Sequence, residues 1–166
     1  MIIFGLGSNL GDRAAHLQKA VSLLHPFLKH MRFSRVLESK AVLPADAPKS
    51  WNLPFLNMAV SGESSLSPRD WLVQIKRMEV VLGRKPDKLW APRIIDIDIL
   101  VMDEIYGDEQ LTIPHPALLE RDFALLPLSE LAPDWNYKGK TAKQWVKEKG
   151  YEIGPNLRDT GLTFDD

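Results

Sequence analysis

The segment WAPRIIDIDILVMD, residues 90–103, places two carboxylates inside an otherwise apolar strand. Its centre, residues 94–100, is mostly isoleucine and leucine, which is typical of a buried strand. Asp96 and Asp98 lie two positions apart in this run. Because side chains alternate across a strand, both aspartates share one face, with Cα atoms about 6.5–7 Å apart. The other face points into a helix-covered core and consists of Ile95, Ile97 and Ile99.

Paired carboxylates on one strand face are typical of a metal site. Ionised, they repel each other, and partial burial raises the pKa of both groups. A divalent cation removes both costs, and Mg²⁺ usually takes one or two carboxylates together with substrate phosphates. Two ions about 3.5–4 Å apart fit against such a pair. The alternative for Asp96 and Asp98 is an open-faced strand that carries two solvated acids.

Basic residues accompany the aspartates along the chain. Arg93 opens the strand, Arg84 and Lys88 precede it, and Arg121 follows it. Arginine suits phosphate because its planar guanidinium donates two parallel hydrogen bonds. Each arginine alone is typical of a surface charge, but together they favour a site that holds both metal and phosphate.

The composition is that of an ordinary soluble globular protein. The chain has 166 residues, 45% hydrophobic and 26% charged, and we expect a single domain spanning residues 1–166. A formal net charge of −1 argues against a general nucleic-acid binder. The absence of cysteine excludes disulfides and fits the cytoplasm. The opening MIIFGLGSNLGD indicates neither a signal peptide nor a membrane span.

The predicted elements follow the order strand, helix, strand, strand, helix, strand. Asp12 and Ser67 are expected to cap the two helices. This βαββαβ order predicts an α+β fold of the ferredoxin-like type, with an antiparallel sheet and helices on one face. C-terminal additions include two more helices, and the tail at about 154–166 is expected to be loosely held. Strands are expected at 2–6, 32–39, 55–62 and 94–100, and helices at 12–28, 67–83, 122–131 and 141–149.

Two loops and one glycine-rich segment complete the pattern. The proline-rich loop 40–54 and the basic loop 84–92 are long for a compact domain, which is typical of functional loops. The segment GLGSNLG, residues 5–11, has the spacing G-x-G-x-x-x-G, whereas dinucleotide sites have G-x-G-x-x-G. We therefore interpret it as a tight turn from strand to helix.

Two phenylalanines and an asparagine are candidates for binding a flat ring. Phe55 follows loop 40–54, and Asn57 lies two residues on, on the same strand face. Phe123 begins a predicted helix. Either phenylalanine could belong to the core, but if both line one cleft they could sandwich a heterocycle. The asparagine amide offers a donor and an acceptor in one plane, which suits an amino-pyrimidinone edge.

Four segments are similar to a known enzyme family. They are GLGSNLGD at 5–12, FLNMAV at 55–60, WAPRIIDIDIL at 90–100 and LTIPHPALLERDFALLPL at 111–128. In this order they resemble 6-hydroxymethyl-7,8-dihydropterin pyrophosphokinase (HPPK), an enzyme of folate biosynthesis. The resemblance implies a ferredoxin-like monomer. Such an enzyme uses ATP and two Mg²⁺ ions to convert the pterin alcohol into its diphosphate, releasing AMP.

The resemblance also implies a role for individual residues. Asp96 and Asp98 would hold both Mg²⁺ ions, and Arg84 and Arg93 would neutralise phosphate charge during transfer. Trp90 would belong to a mobile loop that closes over both substrates. The implied pterin site consists of Ser39, Val42, Phe55, Asn57 and Phe123. The implied ATP site consists of Glu79, Trp90, Arg93, Ile99, Thr112, His115 and Arg121.

Two other functions fit some of the residues. Paired aspartates of the D-x-D type also hold the metal of nucleotide-sugar transferases, although Asn57 and the phenylalanines would then have no role. A non-catalytic ferredoxin-like module could bind a small metabolite without Mg²⁺. For partners, the resemblance implies small-molecule substrates, with neither nucleic acid nor membrane. Since the family includes fused forms, the resemblance leaves open whether an adjacent or fused folate-pathway enzyme is a partner.

Overall fold

A computed structural model describes residues 1–86 and 88–165 of the chain. Within these residues the largest sheet has six strands, and every pairing in it is antiparallel. The expected mixed α and β architecture with an antiparallel sheet is confirmed. The strands are β1 Ile2–Ser8, β2 Lys29–Phe33, β3 Leu37–Ser39, β4 Phe55–Glu63, β5 Asp96–Met102, β6 Tyr106–Gly107, β7 Thr112–Ile113, β8 Asn136–Tyr137, β9 Lys140–Thr141 and β10 Leu157–Asp159. The helices are α1 Arg13–Leu24, α2 Pro68–Val81, α3 Asp122–Leu131 and α4 Ala142–Lys149.

The helix starts follow from local sequence. The Asp12 side chain accepts a hydrogen bond from the Ala15 amide at 3.1 Å, and Ser67 accepts one from the Asp70 amide at 3.2 Å. Both predicted caps are thus confirmed, because a side-chain oxygen at this position satisfies an amide that has no partner inside the helix. Across residues 1–86 and 88–165, none of the helices is both long enough and apolar enough to cross a membrane.

The sheet order places β1 at the centre of the functional region. The strands run β10-β3-β4-β1-β5, and β2 also pairs with β4. The register sets Gly5 opposite Asp98, and Gly7 opposite both Asp96 and Asn57. The predicted aspartate strand therefore lies directly beside two glycines of the first strand, which leave the space above β1 free of side chains.

The two faces of the sheet are covered differently. On one face α1 and α2 pack against Phe4 and the other apolar residues of β1. On the other face α3 packs on Ile3, Ala59 and Leu100. The helices expected on a single face are those of the βαββαβ unit, α1 and α2, and α3 lies outside that unit. The apolar side chains of α3 are buried along most of its length and need a partner, which this face supplies. Because α3 covers only part of this face, the part that carries the aspartates stays open.

Two segments differ from the sequence-based expectation. The single strand predicted at 32–39 is divided into β2 and β3 at Ser34, whose hydroxyl accepts a hydrogen bond from the Ala59 amide at 2.8 Å. A side chain thus replaces a backbone acceptor and interrupts the ladder. In the tail, β10 pairs with β3, and Leu157 is 1% exposed. This part of the C-terminal segment is held by the sheet.

Candidate active site

Two cavities meet at the paired aspartates on the open part of the sheet. Each has a volume of about 460 Å³. Asp96, Asp98, Arg93 and Arg121 line both cavities. We call the cavity that extends over β1 and β4 the ring cavity, and the one that extends toward α2 and β7 the nucleotide cavity. A ligand in either one can reach the same two carboxylates.

Both oxygens of Asp96 are engaged by arginines. Oδ1 accepts a hydrogen bond from Arg84 Nη1 at 2.7 Å, and Oδ2 accepts one from Arg93 Nη1, also at 2.7 Å. The three side chains are about a quarter exposed, so solvent screens these ion pairs only in part. The two guanidinium groups thus balance the charge of Asp96. A cation that binds Asp96 must share these oxygens or release an arginine from them.

Glu79 holds Arg84 from the other side. Its Oε1 accepts hydrogen bonds from Arg84 Nη1 at 2.6 Å and from the Ile97 amide at 3.1 Å. Glu79 is only 5% exposed, and burial raises the pKa of its carboxyl group although the Arg84 charge opposes this shift. The Ile97 amide lies between the two aspartates in sequence. The Glu79 carboxylate therefore positions both Arg84 and the part of β5 that carries Asp96 and Asp98.

Asp98 lies beside Arg121 and His115. Burial is the main cause that raises the pKa of its carboxyl group, and the Asp96 charge raises the pKa further. Arg121 Nη1 lies 3.9 Å from Asp98 Oδ2. The Ala117 amide donates to His115 Nδ1 at 3.1 Å, and burial lowers the pKa of the imidazole. A neutral ring that accepts at Nδ1 carries its proton on Nε2, which is then the donor available to a ligand.

The donor set fits Mg²⁺. Asp96 and Asp98 present hard carboxylate oxygens on one face of β5, at the junction of the cavities. Burial and the charge of Asp96 both raise the pKa of the Asp98 carboxyl group, and a cation between the two carboxylates would offset both effects. In the described part of the chain, no group of three or more histidine, aspartate or glutamate side chains is placed to hold a metal ion.

The floor of the ring cavity combines an oriented amide with bare backbone. Asn57 Nδ2 donates to Ser39 Oγ at 2.8 Å, and both residues are buried. A β carbon at Gly7 would lie 3.2 Å from Asn57 Oδ1 and 3.6 Å from Phe55 Cδ1. Phe123 lines the same cavity from the start of α3. The cavity thus offers aromatic side chains, one fixed amide edge and space for a flat molecule.

The structure groups nearly all of the residues expected at the site. All five expected pterin residues line the ring cavity, and six of the seven expected ATP residues line the nucleotide cavity. Trp90 differs, because it lines the ring cavity and not the nucleotide cavity. It is 45% exposed and has a φ of 74°, a conformation that bulky residues rarely adopt. The residues on the nucleotide side are Glu79, Arg93, Ile99, Thr112, His115 and Arg121.

Three residues at the site had no predicted role there. Asn9, 4% exposed, accepts a hydrogen bond from the Arg93 amide at 2.7 Å and donates to the Leu53 carbonyl at 3.2 Å. It therefore joins the arginine to the chain just before Phe55. Gly5 and Gly7 lie within β1 and form the floor, so the turn interpretation of GLGSNLG fits only Gly11, which has a φ of 72°. The two-residue spacing of Gly5 and Gly7, which puts both on one face of a strand, was the signal available in the sequence.

Comparison with known proteins gives consistent matches. Residues 3–133 match the family model described as 7,8-dihydro-6-hydroxymethylpterin-pyrophosphokinase (HPPK). A folate synthesis bifunctional protein of Chlamydia trachomatis is 41% identical over 140 residues, which cover 80% of this chain and 30% of that protein. The chain thus spans under a third of the length of this relative. A 2-amino-4-hydroxy-6-hydroxymethyldihydropteridine pyrophosphokinase of Aquifex aeolicus is 41% identical over 138 residues, 80% of this chain and 81% of that protein.

Solved structures agree at the level of the fold. The crystal structure of wild-type Plasmodium falciparum HPPK-DHPS with SDX-DHP matches with a TM-score of 0.65 at 17% identity. The match covers 95% of this chain and 46% of that chain. At this identity the likeness concerns the fold alone.

Proposed function

Because the chain belongs to the HPPK family, we propose that it transfers the pyrophosphoryl group of ATP to the hydroxymethyl oxygen of 6-hydroxymethyl-7,8-dihydropterin. The products would be AMP and the pterin diphosphate. The observation that carries this proposal is that the two cavities share Asp96 and Asp98. A group that passes from a ligand in one cavity to a ligand in the other must pass these carboxylates.

Asp96 and Asp98 are the proposed ligands of two Mg²⁺ ions. When bound, the ions would neutralise phosphate charge and bring the triphosphate and the pterin hydroxyl together. The supporting observations are the shared strand face and the raised pKa of the Asp98 carboxyl group. Asp98 is also the candidate to accept the proton of the hydroxyl group, because it is a carboxylate that lines both cavities where they meet.

Arg84 and Arg93 are the proposed phosphate ligands at the transfer point. Both bind Asp96, so both guanidinium groups lie at the junction of the cavities. Phosphoryl transfer demands positioning and charge neutralisation more than covalent chemistry. Glu79 keeps Arg84 in place during this exchange. The further ATP contacts that we propose are Ile99, Thr112, His115 and Arg121.

The ring cavity is the proposed pterin site. Phe55 and Phe123 offer aromatic faces for stacking, each worth about 1–3 kcal/mol by analogy with nucleic-acid bases. Asn57 is fixed by Ser39, which leaves its Oδ1 to accept from the amino group of the pterin. The backbone near Val42 would complete the wall. Loop 40–54 and the second loop, with Trp90, flank the cavity and would exclude water on closure.

The wider organisation is also proposed from these observations. We assign the chain to a single domain, 1–166, of the ferredoxin-like type, which the strand order around β1 supports. We further propose that it works as a monomer in the cytoplasm. A folate-pathway neighbour is a reasonable partner, because relatives such as the Chlamydia protein are bifunctional in folate synthesis.

The test is incubation of the full chain with ATP, Mg²⁺ and the reduced pterin alcohol. AMP and the pterin diphosphate should form in equal amounts, with no ADP. Formation of ADP would show transfer of a single phosphoryl group and contradict the proposal. Turnover of a nucleotide sugar would favour a sugar transferase, and pterin binding without Mg²⁺ or turnover would favour a non-catalytic module.

A further inference from the structure

The C-terminal segment returns to the ring cavity. The family model ends at residue 133, yet β10 pairs with β3 in the register Leu157 to Ser39 and Asp159 to Leu37. We propose that β10 is a positioning element for the pterin: through Leu157 and Arg158 it fixes β3, and thereby the polar wall of the ring cavity. This inference rests on the proposed function of that cavity.

The position of β3 depends on both of its neighbours. β3 has three residues and lies between β4 and β10. Without β10 it would be an edge strand with unpaired backbone groups, immediately before the long loop that starts at Lys40. The chain holds this edge beyond β10 as well, since the Thr160 amide and hydroxyl both donate to the Val36 carbonyl, at 3.1 and 2.8 Å.

An apolar contact places β10 against β3. Leu157 is 1% exposed and belongs to a small cluster with Leu37 and Leu126. Leu37 is two residues before Ser39, whose hydroxyl accepts the hydrogen bond that orients Asn57. A shift of β3 therefore moves the acceptor that fixes the asparagine amide in the ring cavity.

A second connection runs through one carboxylate. Glu38 Oε1 accepts from Arg158 Nη2 at 2.7 Å, and Glu38 Oε2 lies 2.8 Å from Arg13 Nη1. Arg13 Nη1 also donates to the Pro54 carbonyl at 2.9 Å. Pro54 immediately precedes Phe55, the proposed stacking residue. Arg158 is thus linked directly to β3 through Glu38 and, by way of Arg13, to the backbone just before Phe55.

The test uses full-length variants with separate KM values for pterin and ATP, together with Tm. Arg158→Gln should raise KM for the pterin roughly two- to five-fold, the range expected for an exposed charged pair. Arg158→Lys should raise the pterin KM much less, because lysine keeps the positive charge. Leu157→Ala should raise the pterin KM further, on the order of ten-fold. KM for ATP should stay unchanged in all three variants.

Two controls separate positioning from general stability. Leu24→Ala removes an equally buried leucine under the opposite face, so it should lower Tm without changing the pterin KM. Glu148→Gln removes a carboxylate that is paired with Lys140 in the same C-terminal segment and should change neither quantity. A pterin KM that rises equally in Leu24→Ala, or that stays unchanged in both Leu157→Ala and Arg158→Gln, would overturn the inference.

Amide hydrogen exchange tests the inference independently of turnover. Arg158→Gln should speed exchange in β3 and at the start of β4, whereas β5 should be unaffected. Should the unmodified chain form no AMP, the proposed function fails while this measurement still decides whether β10 holds the wall. If exchange in β3 is the same in the unmodified chain and in Arg158→Gln, the inference fails and the proposed function stands.

Discussion

The sharpest test of the ring cavity is Gly7→Ala. The added β carbon would lie 3.2 Å from Asn57 Oδ1 and 3.6 Å from Phe55 Cδ1. The first distance is a few tenths of an ångström too short, so the asparagine must move. Asn57 is 6% exposed, and its amide nitrogen donates to Ser39 at 2.8 Å, so it cannot turn away without losing that bond. Overpacking of this kind costs about 1–3 kcal/mol.

If that cost falls on pterin binding, affinity should drop about five- to 140-fold, since 1.4 kcal/mol corresponds to a factor of ten. The assay is titration of the reduced pterin, followed by its fluorescence, with KM for ATP measured in parallel. Gly107→Ala is the control, because a β carbon there would meet no neighbouring heavy atom within 4 Å and Gly107 lines neither cavity. A folded Gly7→Ala variant with unchanged pterin affinity would refute the assignment of this floor.

Further predictions concern the metal pair and the β10 connection. Asp98→Ala should abolish AMP formation while circular dichroism shows a retained fold; near-normal rates would refute the role of Asp98 as ligand and proton acceptor. Arg93→Gln should slow turnover but tighten binding of Mn²⁺ alone several-fold, since one competitor for Asp96 is removed; weaker Mn²⁺ binding would contradict this. Hydrogen bonds from Arg158 and Arg13 lower the pKa of the Glu38 carboxyl group from its ordinary value of 4.5, and the bond from Arg158 has the larger effect. The stability that this shift contributes is therefore present above pH 4.5 and is lost as the pH falls through the lowered pKa. Arg158→Gln should accordingly lower Tm at neutral pH, and this decrease in Tm should become smaller at acidic pH.

The parts of the fold that local chemistry determines could be predicted. The helix starts at Asp12 and Ser67 depend on side chains within three residues, and the alternation of β5 places Asp96 and Asp98 on one face. Joint placement of Phe55, Asn57 and Phe123 could be expected only from the resemblance, because no local pattern connects strand β4 to helix α3.

The parts that depend on distant contacts could not be predicted. Asn9 looks like an ordinary turn residue, and its bonds to Arg93 and Leu53 exist only once the strands are assembled. The placement of α3 depends on which sheet face is left uncovered by α1 and α2. The pairing of Leu157–Asp159 with β3 joins residues 118 positions apart at Leu157 and Ser39, far beyond any periodicity.

Strand β5 is the outermost strand of the sheet, and its apolar composition makes it a template for strand addition by another molecule. Two of its outward-facing backbone groups are already taken: the Ile97 amide by Glu79 and the Leu100 carbonyl by the His115 amide at 2.8 Å. Replacing Glu79 would therefore leave one of these groups exposed. Self-association of such variants would depend on protein concentration, and light scattering should measure it before their rates are compared with that of the unmodified chain.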